Sequence, residues 1–170
     1  MSLFPFPGDE NRALMAINNE YTNYRYLFPH GGQPTSAEDV HKAQAAEGVS
    51  VIEVQRSNGQ WQFVQGSPYN RRIHGNTPIR MSGPASGDAW LKTAADNSGS
   101  KVLGTFQNCA NGKTPWGTFL TGEENWFGYF TRSAADDAAR GNDKSVTALK
   151  RYGRNQGAAS RHGWESGGAD

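Results

Sequence analysis

The sequence predicts a mainly β architecture with short helical insertions. Three observations carry this reading: several short runs of β-favouring residues, frequent turn formers, and one hairpin pattern centred on Asn-Gly. The 170 residues include 21 glycines and 8 prolines, a supply that favours many turns over long helices. Such a length suits one domain, or a piece of a larger one.

Taken in order, Phe4-Pro5-Phe6-Pro7-Gly8-Asp9 reads as a turn-rich opening, and Ala13 to Ile17 as a short strand bounded by Asn18 and Asn19. Tyr21 to Phe28 is aromatic-rich and ends at Pro29, which predicts an extended segment or loop. Thr35 followed three residues later by Glu38 forms a capping-box pattern. It predicts a helix to about Glu47, with Gly48 where a C-terminal cap belongs. Val49 to Val54 alternates, Ser57-Asn58-Gly59 follows, and Gln60 to Val64 is again β-rich, which together spell a hairpin. Trp61 and Phe63 share one face of its second strand. Residues 66–100 read as loop, Lys101 to Phe106 and Trp116 to Leu120 as strands, and Ser133 to Arg140 and Asp143 to Lys150 as short helices. The stretch from Gly153 to Asp170 has no sustained period, and no repeat at a fixed period is present.

Composition excludes several classes. Seventeen basic residues against sixteen acidic ones leave a formal net charge of +1, far from the basic footprint of a nucleic-acid binder. No run of 18 or more apolar residues exists to span a membrane. Cys109 is the only cysteine, so no intrachain disulfide forms. Met1-Ser2-Leu3 opens without the basic and apolar regions of a signal peptide. Five Trp, six Tyr and eight Phe supply bulky core material, although a hydrophobic fraction of 35 % is low for a self-sufficient globule.

The densest chemistry lies between Asn108 and Asn125. Cys109 is the sole soft ligand of the chain, whereas Glu123 and Glu124 are hard oxygen donors. A thiolate suits iron or another transition metal, and carboxylates suit Ca²⁺ or Mg²⁺. The plain alternatives are a buried small hydrophobe at Cys109 and two solvated surface carboxylates. Adjacent glutamates in a strand point to opposite faces, so Glu123 and Glu124 chelate one ion only from a turn or else serve separate ions. Glu20 sits just beyond a strand, where ligand residues collect. Arg71 and Arg72 offer paired guanidinium groups for a phosphate, and Asn76 lies in a Gly-Asn-Thr-Pro turn. Surface charge and ordinary turn chemistry are the competing readings of these last residues. The four histidines show no ligand spacing, and there is no nucleophile elbow, Walker loop or dinucleotide fingerprint.

Asn108-Cys109-Ala110, then Thr114-Pro115-Trp116-Gly117-Thr118 and Glu123-Glu124-Asn125, resemble the signature of the PhoX family of alkaline phosphatases. Asn19-Glu20-Tyr21-Thr22, Gly48-Val49-Ser50-Val51, Tyr69-Asn70-Arg71-Arg72-Ile73 through Gly75-Asn76-Thr77-Pro78, and the late Gly163-Trp164-Glu165 agree with it in order. The resemblance implies a portion of a β-propeller, the N-terminal part of a longer metal-dependent phosphomonoesterase exported through the Tat route to the periplasm or beyond. By matching position it implies Cys109 as an iron ligand, Glu123 and Glu124 on iron or calcium, and Glu20 as a calcium ligand. It places Arg71, Asn76 and Asn108 near the site, with Fe³⁺ and Ca²⁺ as cofactors and the remainder of the propeller as the missing partner. Asn19 and Gly122 depart from the family pattern, which often has His and Cys there. The competing reading is a non-catalytic β-module in which Cys109 is merely buried.

Overall fold

The structure, a computed structural model, describes residues 1–168. It is mainly β with short helices, and it divides into two compact units. Met1–Tyr21 with Gln44–Glu123 forms the first, and Thr22–Ala43 with Glu124–Asp170 the second.

The first unit is built on a five-stranded antiparallel sheet. Its opening segment is a strand rather than a turn-rich lead: β1 (Ser2–Phe6) pairs with β2 (Asp9–Asn19) across Pro7-Gly8. Pro5 is tolerated because β1 is the sheet edge, where one side of the backbone needs no ladder partner. β2 is longer than its apolar run because the ladder to β3 (Gly48–Ser57) continues through the polar pairs Asn18↔Val49 and Asn19↔Gly48.

The predicted hairpin forms. β3 turns through Asn58 and Gly59 into β4 (Gln60–Phe63), and both turn residues have positive φ, +52° and +79°, as the hairpin-compatible I′ geometry requires. β4 covers only the Val54–Ser57 half of the free edge of β3, and β5 (Arg71–Ile73) covers the Val49–Val51 half. Asn70 fills the gap between them: the Glu53 N–H donates to its Oδ1 at 2.8 Å, and its Nδ2 donates to the carbonyl of Val64 at 2.8 Å. The buried Glu53 carboxylate accepts from Ser67 at 2.6 Å and from Arg12 at 2.7 Å. A carboxylate so deep in a sheet persists only because each oxygen has a partner.

Between residues 66 and 100 the loop expectation misses two short strands, β5 and β6 (Pro78–Arg80), the latter paired with β7 (Lys101–Leu103). Three-residue strands carry too little alternation to be read locally. β8 (Asn108–Lys113) and β9 (Phe119–Glu123) form a second hairpin whose turn includes Pro115, Trp116 and Gly117. The strand expected at Trp116 therefore starts three residues later, since Pro115 and Gly117 belong to the turn.

The core is small. Ala16, Val49 and Val51 are its buried centre, with Phe4, Leu14, Ile73 and Phe119 packed around them. The expected aromatic core is largely absent from it: Trp61, Trp90 and Trp116 are 42 %, 67 % and 78 % exposed. The buried residues of β2 are the small Ala13 and Ala16.

In the second unit, Tyr24–Leu27 is a one-turn helix, α1, capped by Asn23, where an extended segment is expected. α2 (Ala37–Ala46) starts one residue later than the capping-box reading: Ser36, not Thr35, accepts the N–H of Asp39. Asp39 in turn accepts from the Thr35 N–H and hydroxyl. α3 (Ala134–Ala139) carries a complete capping box through Ser133 and Asp136, and α4 (Lys144–Arg151) is capped by Asp143, both as expected. A single helical turn, Trp164–Gly167, lies in the C-terminal stretch. Tyr24, Tyr129, His162 and Trp164 pack ring to ring, with Tyr129 stacked on His162 at 3.9 Å. The buried Arg132–Asp137 pair, at 2.7 Å, is joined by Gln156, and Arg132 also donates to the Arg154 carbonyl.

Candidate metal centre

Glu20, Cys109 and Glu124 each direct one donor atom to a common place, and these atoms all lie within 4.8 Å of one another. Two donors on a single cation about 2.0–2.4 Å away are at most about 4.8 Å apart. The three groups are therefore close enough to share one ion, and they suit neighbouring ions equally. One thiolate with two carboxylates joins a soft donor to hard ones, a set that a transition metal accepts and that Ca²⁺ alone would use only through its oxygens.

Each donor is delivered by a strand end or an irregularity. Glu20 follows the last residue of β2, and Glu124 follows the last residue of β9. Cys109 lies within β8, but the ladder there pairs Asn108 with Glu123 and Ala110 with Gly122. Cys109 is thus the extra residue of a β-bulge, the device that redirects a side chain out of a regular sheet. It is exposed, which removes the reading of a buried small hydrophobe.

Glu123 goes elsewhere. Its carboxylate accepts from the Thr105 hydroxyl at 2.9 Å and from the Phe106 N–H at 3.4 Å. β9 ends between the two glutamates, which answers the geometric question raised by their adjacency: one carboxylate joins the donor group, and the other ties β9 to the segment preceding β8.

A polar chain underlies the bulge. Asn18, the penultimate residue of β2, donates through Nδ2 to the carbonyls of Cys109 and Ala110, both at 3.2 Å. Its Oδ1 accepts from the Thr121 hydroxyl at 3.1 Å. Asn108, fully buried, donates to Thr121 at 3.1 Å and to Thr105 at 2.8 Å. The neighbouring Asn19 donates to Ser50 at 2.9 Å and stays on the sheet side. Asn18, Thr105 and Thr121 escape a sequence reading because no local pattern marks them. Asn18 reads there only as the end of a strand.

Arg71 and Asn76 make local contacts. Arg71 is exposed on β5 and donates to the Tyr69 carbonyl at 2.9 Å. Asn76 is half-buried in the turn between β5 and β6, its N–H directed at His74 Nδ1 at 3.3 Å. Arg72 differs from its neighbour by capping α2, with one Nη2 shared among the carbonyls of Ala45, Ala46 and Glu47, each at 3.1 Å. Among the described residues no helix is long and apolar enough to cross a membrane.

Comparison with known proteins bears on the chain as a whole. No curated protein matches the chain. A solved structure of PhoX from Pseudomonas fluorescens, in complex with vanadate as a transition state analogue, is similar to it with 68 % identity and a TM-score of 0.84. The similarity covers 96 % of this chain and 27 % of that one, so the chain spans about a quarter of that relative's length. The family model for alkaline phosphatase PhoX matches residues 1–165. With nearly the whole sequence matched, the chain belongs to the PhoX family of alkaline phosphatases.

Proposed function

We propose that this chain supplies part of the metal centre of a metal-dependent alkaline phosphatase that hydrolyses phosphomonoesters, and forms a portion of that enzyme's β-propeller. The observation that carries the proposal is the convergence of Glu20, Cys109 and Glu124 within 4.8 Å in a chain of this family. Vanadate in the Pseudomonas fluorescens relative supports the reaction class, because a vanadate held as a transition state analogue mimics phosphorus during phosphoryl transfer. Cys109 holds iron, Fe³⁺, and the carboxylates of Glu20 and Glu124 hold Fe³⁺ or Ca²⁺, in keeping with the softness of each donor. Bound metal ions neutralise phosphate oxygens and lower the pKa of a bound water toward neutrality.

The chain's own residues orient and hold. The bulge fixes the direction of the thiolate, while Glu123, through Thr105, fixes the end of β9 from which Glu124 extends. Arg71 is exposed and takes the substrate's phosphate oxygens bidentately, and Asn76 adds a hydrogen-bond donor. Phosphoryl transfer depends on positioning and charge neutralisation more than on covalent help, which agrees with the absence of a serine nucleophile motif. The enzyme works outside the cytoplasm.

Replacing Cys109 tests the proposal. In the full-length protein, Cys109→Ser removes most of the iron measured by elemental analysis and lowers p-nitrophenyl phosphate hydrolysis by about a hundredfold or more. An iron-replete, fully active variant refutes it.

A further inference from the structure

We infer that Asn18 and Thr121 are positioning residues for the metal-binding thiolate, acting by locking the β-bulge at Cys109. The inference rests on the metal-centre reading above and adds to it the residues that aim the thiol. The β-bulge sets the direction of the Cys109 side chain, so a contact that fixes the bulge's backbone also aims the thiol. The Asn18 amide makes such a contact, spanning the bulge by donating to two successive carbonyls, Cys109 and Ala110.

The direction of every hydrogen bond in the chain follows from this one contact. Asn18 Nδ2 faces two carbonyls, so Oδ1 is the atom left toward Thr121. An amide oxygen only accepts, so the Thr121 hydroxyl donates to it and its lone pair accepts from Asn108. The second N–H of Asn108 goes to Thr105, whose hydroxyl donates to the Glu123 carboxylate. Nothing in this sequence of bonds can reverse without breaking another, so it holds a single register. It joins β2, which ends beside Glu20, to the bulge that carries Cys109 and to the strand that leads into Glu124. Asn108 is fully buried, so water cannot readily replace a lost partner there.

The test uses the full-length protein, stripped of metal and reloaded with Co²⁺, whose thiolate charge-transfer absorption reports the Cys109–metal bond directly. Thr121→Val keeps the side-chain shape and removes the hydroxyl. It is expected to weaken Co²⁺ affinity by about 10–100-fold and to shift or diminish the thiolate band. Thr121→Ser keeps the hydroxyl and is expected to restore both to within about threefold. Asn18→Ala is expected to match Thr121→Val in band and affinity, and the double variant to be no worse than either single one, because both break one chain. Thermal midpoints of the metal-free proteins separate this from general damage. A lowered midpoint with the band and affinity unmoved overturns the inference and leaves only a structural role. If Cys109→Ser itself leaves the band intact, the metal-centre reading fails and this inference falls with it. If Cys109→Ser abolishes the band while Thr121→Val and Asn18→Ala do not alter it, the centre stands and the positioning role alone is wrong.

Discussion

At the scale of single residues, the candidate donors were legible as residue types, and the polar residues packed around them were not. A lone cysteine, two consecutive glutamates and a glutamate after a strand are visible because their chemistry is unusual for their surroundings. Asn18 and Thr121 are common polar residues, separated from their partners by 91 to 103 positions, and only the folded chain brings them together. The same holds for Glu53, whose burial could not be inferred from an alternating strand. Its carboxyl is held below the ordinary glutamate range first by the Ser67 hydroxyl and then by Arg12. His162 shows the opposite case. Burial beside Tyr129, with a smaller contribution from Arg161, lowers its pKa from 6.5 to about 4. The folded state therefore holds the imidazole neutral where the unfolded chain would protonate it. Because the unfolded form binds more protons in that window, stability is lost as pH falls from about 6.5 to about 4 and is constant in this respect outside it. His162→Phe removes this contribution while keeping a ring in the stack. Its thermal midpoint is expected to fall less than the parent's between pH 7 and pH 4.5, and parallel curves for the two proteins would show that His162 does not titrate as described.

At the scale of elements, long periodic segments and strong turn signals were readable. The Asn58-Gly59 hairpin and the helices α3 and α4 follow their sequence patterns. The failures have physical causes. β1 was hidden by two prolines that an edge strand and a turn accommodate, and α2 shifted its cap because Ser36 and Thr35 are equivalent on paper. Gly48 is the most instructive case. A glycine there was expected just past a helix; it stands two residues after α2 with φ +100°, and it also opens β3 and lies against β5. A Cβ at that position would stand 2.1 Å from the carbonyl oxygen of Ile73 and 2.9 Å from the Cα of His74. Both contacts are with backbone, which cannot swing aside. Gly48→Ala is therefore expected to cost at least about 2 kcal/mol, the backbone strain alone being of order 1–3 kcal/mol. Urea unfolding measures it, and a loss below about 0.5 kcal/mol would mean that the β3–β5 pairing yields more easily than its geometry indicates.

At the scale of the whole molecule, composition correctly anticipated a small core and many turns, but not where the aromatic residues would go. Many of them are exposed, while the buried centre of the five-stranded sheet is made of alanine and valine, with Phe28 and Tyr129 buried in the second unit. On the proposed metal-centre reading, bound metal adds to stability: a ligand at a hundred times its dissociation constant contributes about 2.7 kcal/mol. Treating the full-length protein with a chelator is expected to lower its thermal midpoint by several degrees, and readdition of metal to restore it. An unchanged midpoint would show that the donor group is not occupied with useful affinity. One last consequence concerns counting. Because Cys109 is the odd residue in its strand pair, the thiol's direction depends on how many residues lie between Asn108 and Ala110, not only on which they are. Deleting that single position would make the ladder regular while removing the thiol, and adding a second residue would shift the pairing again by one position. In this hairpin, parity is a chemical property: a change of length by one redirects the side chain that the bulge aims.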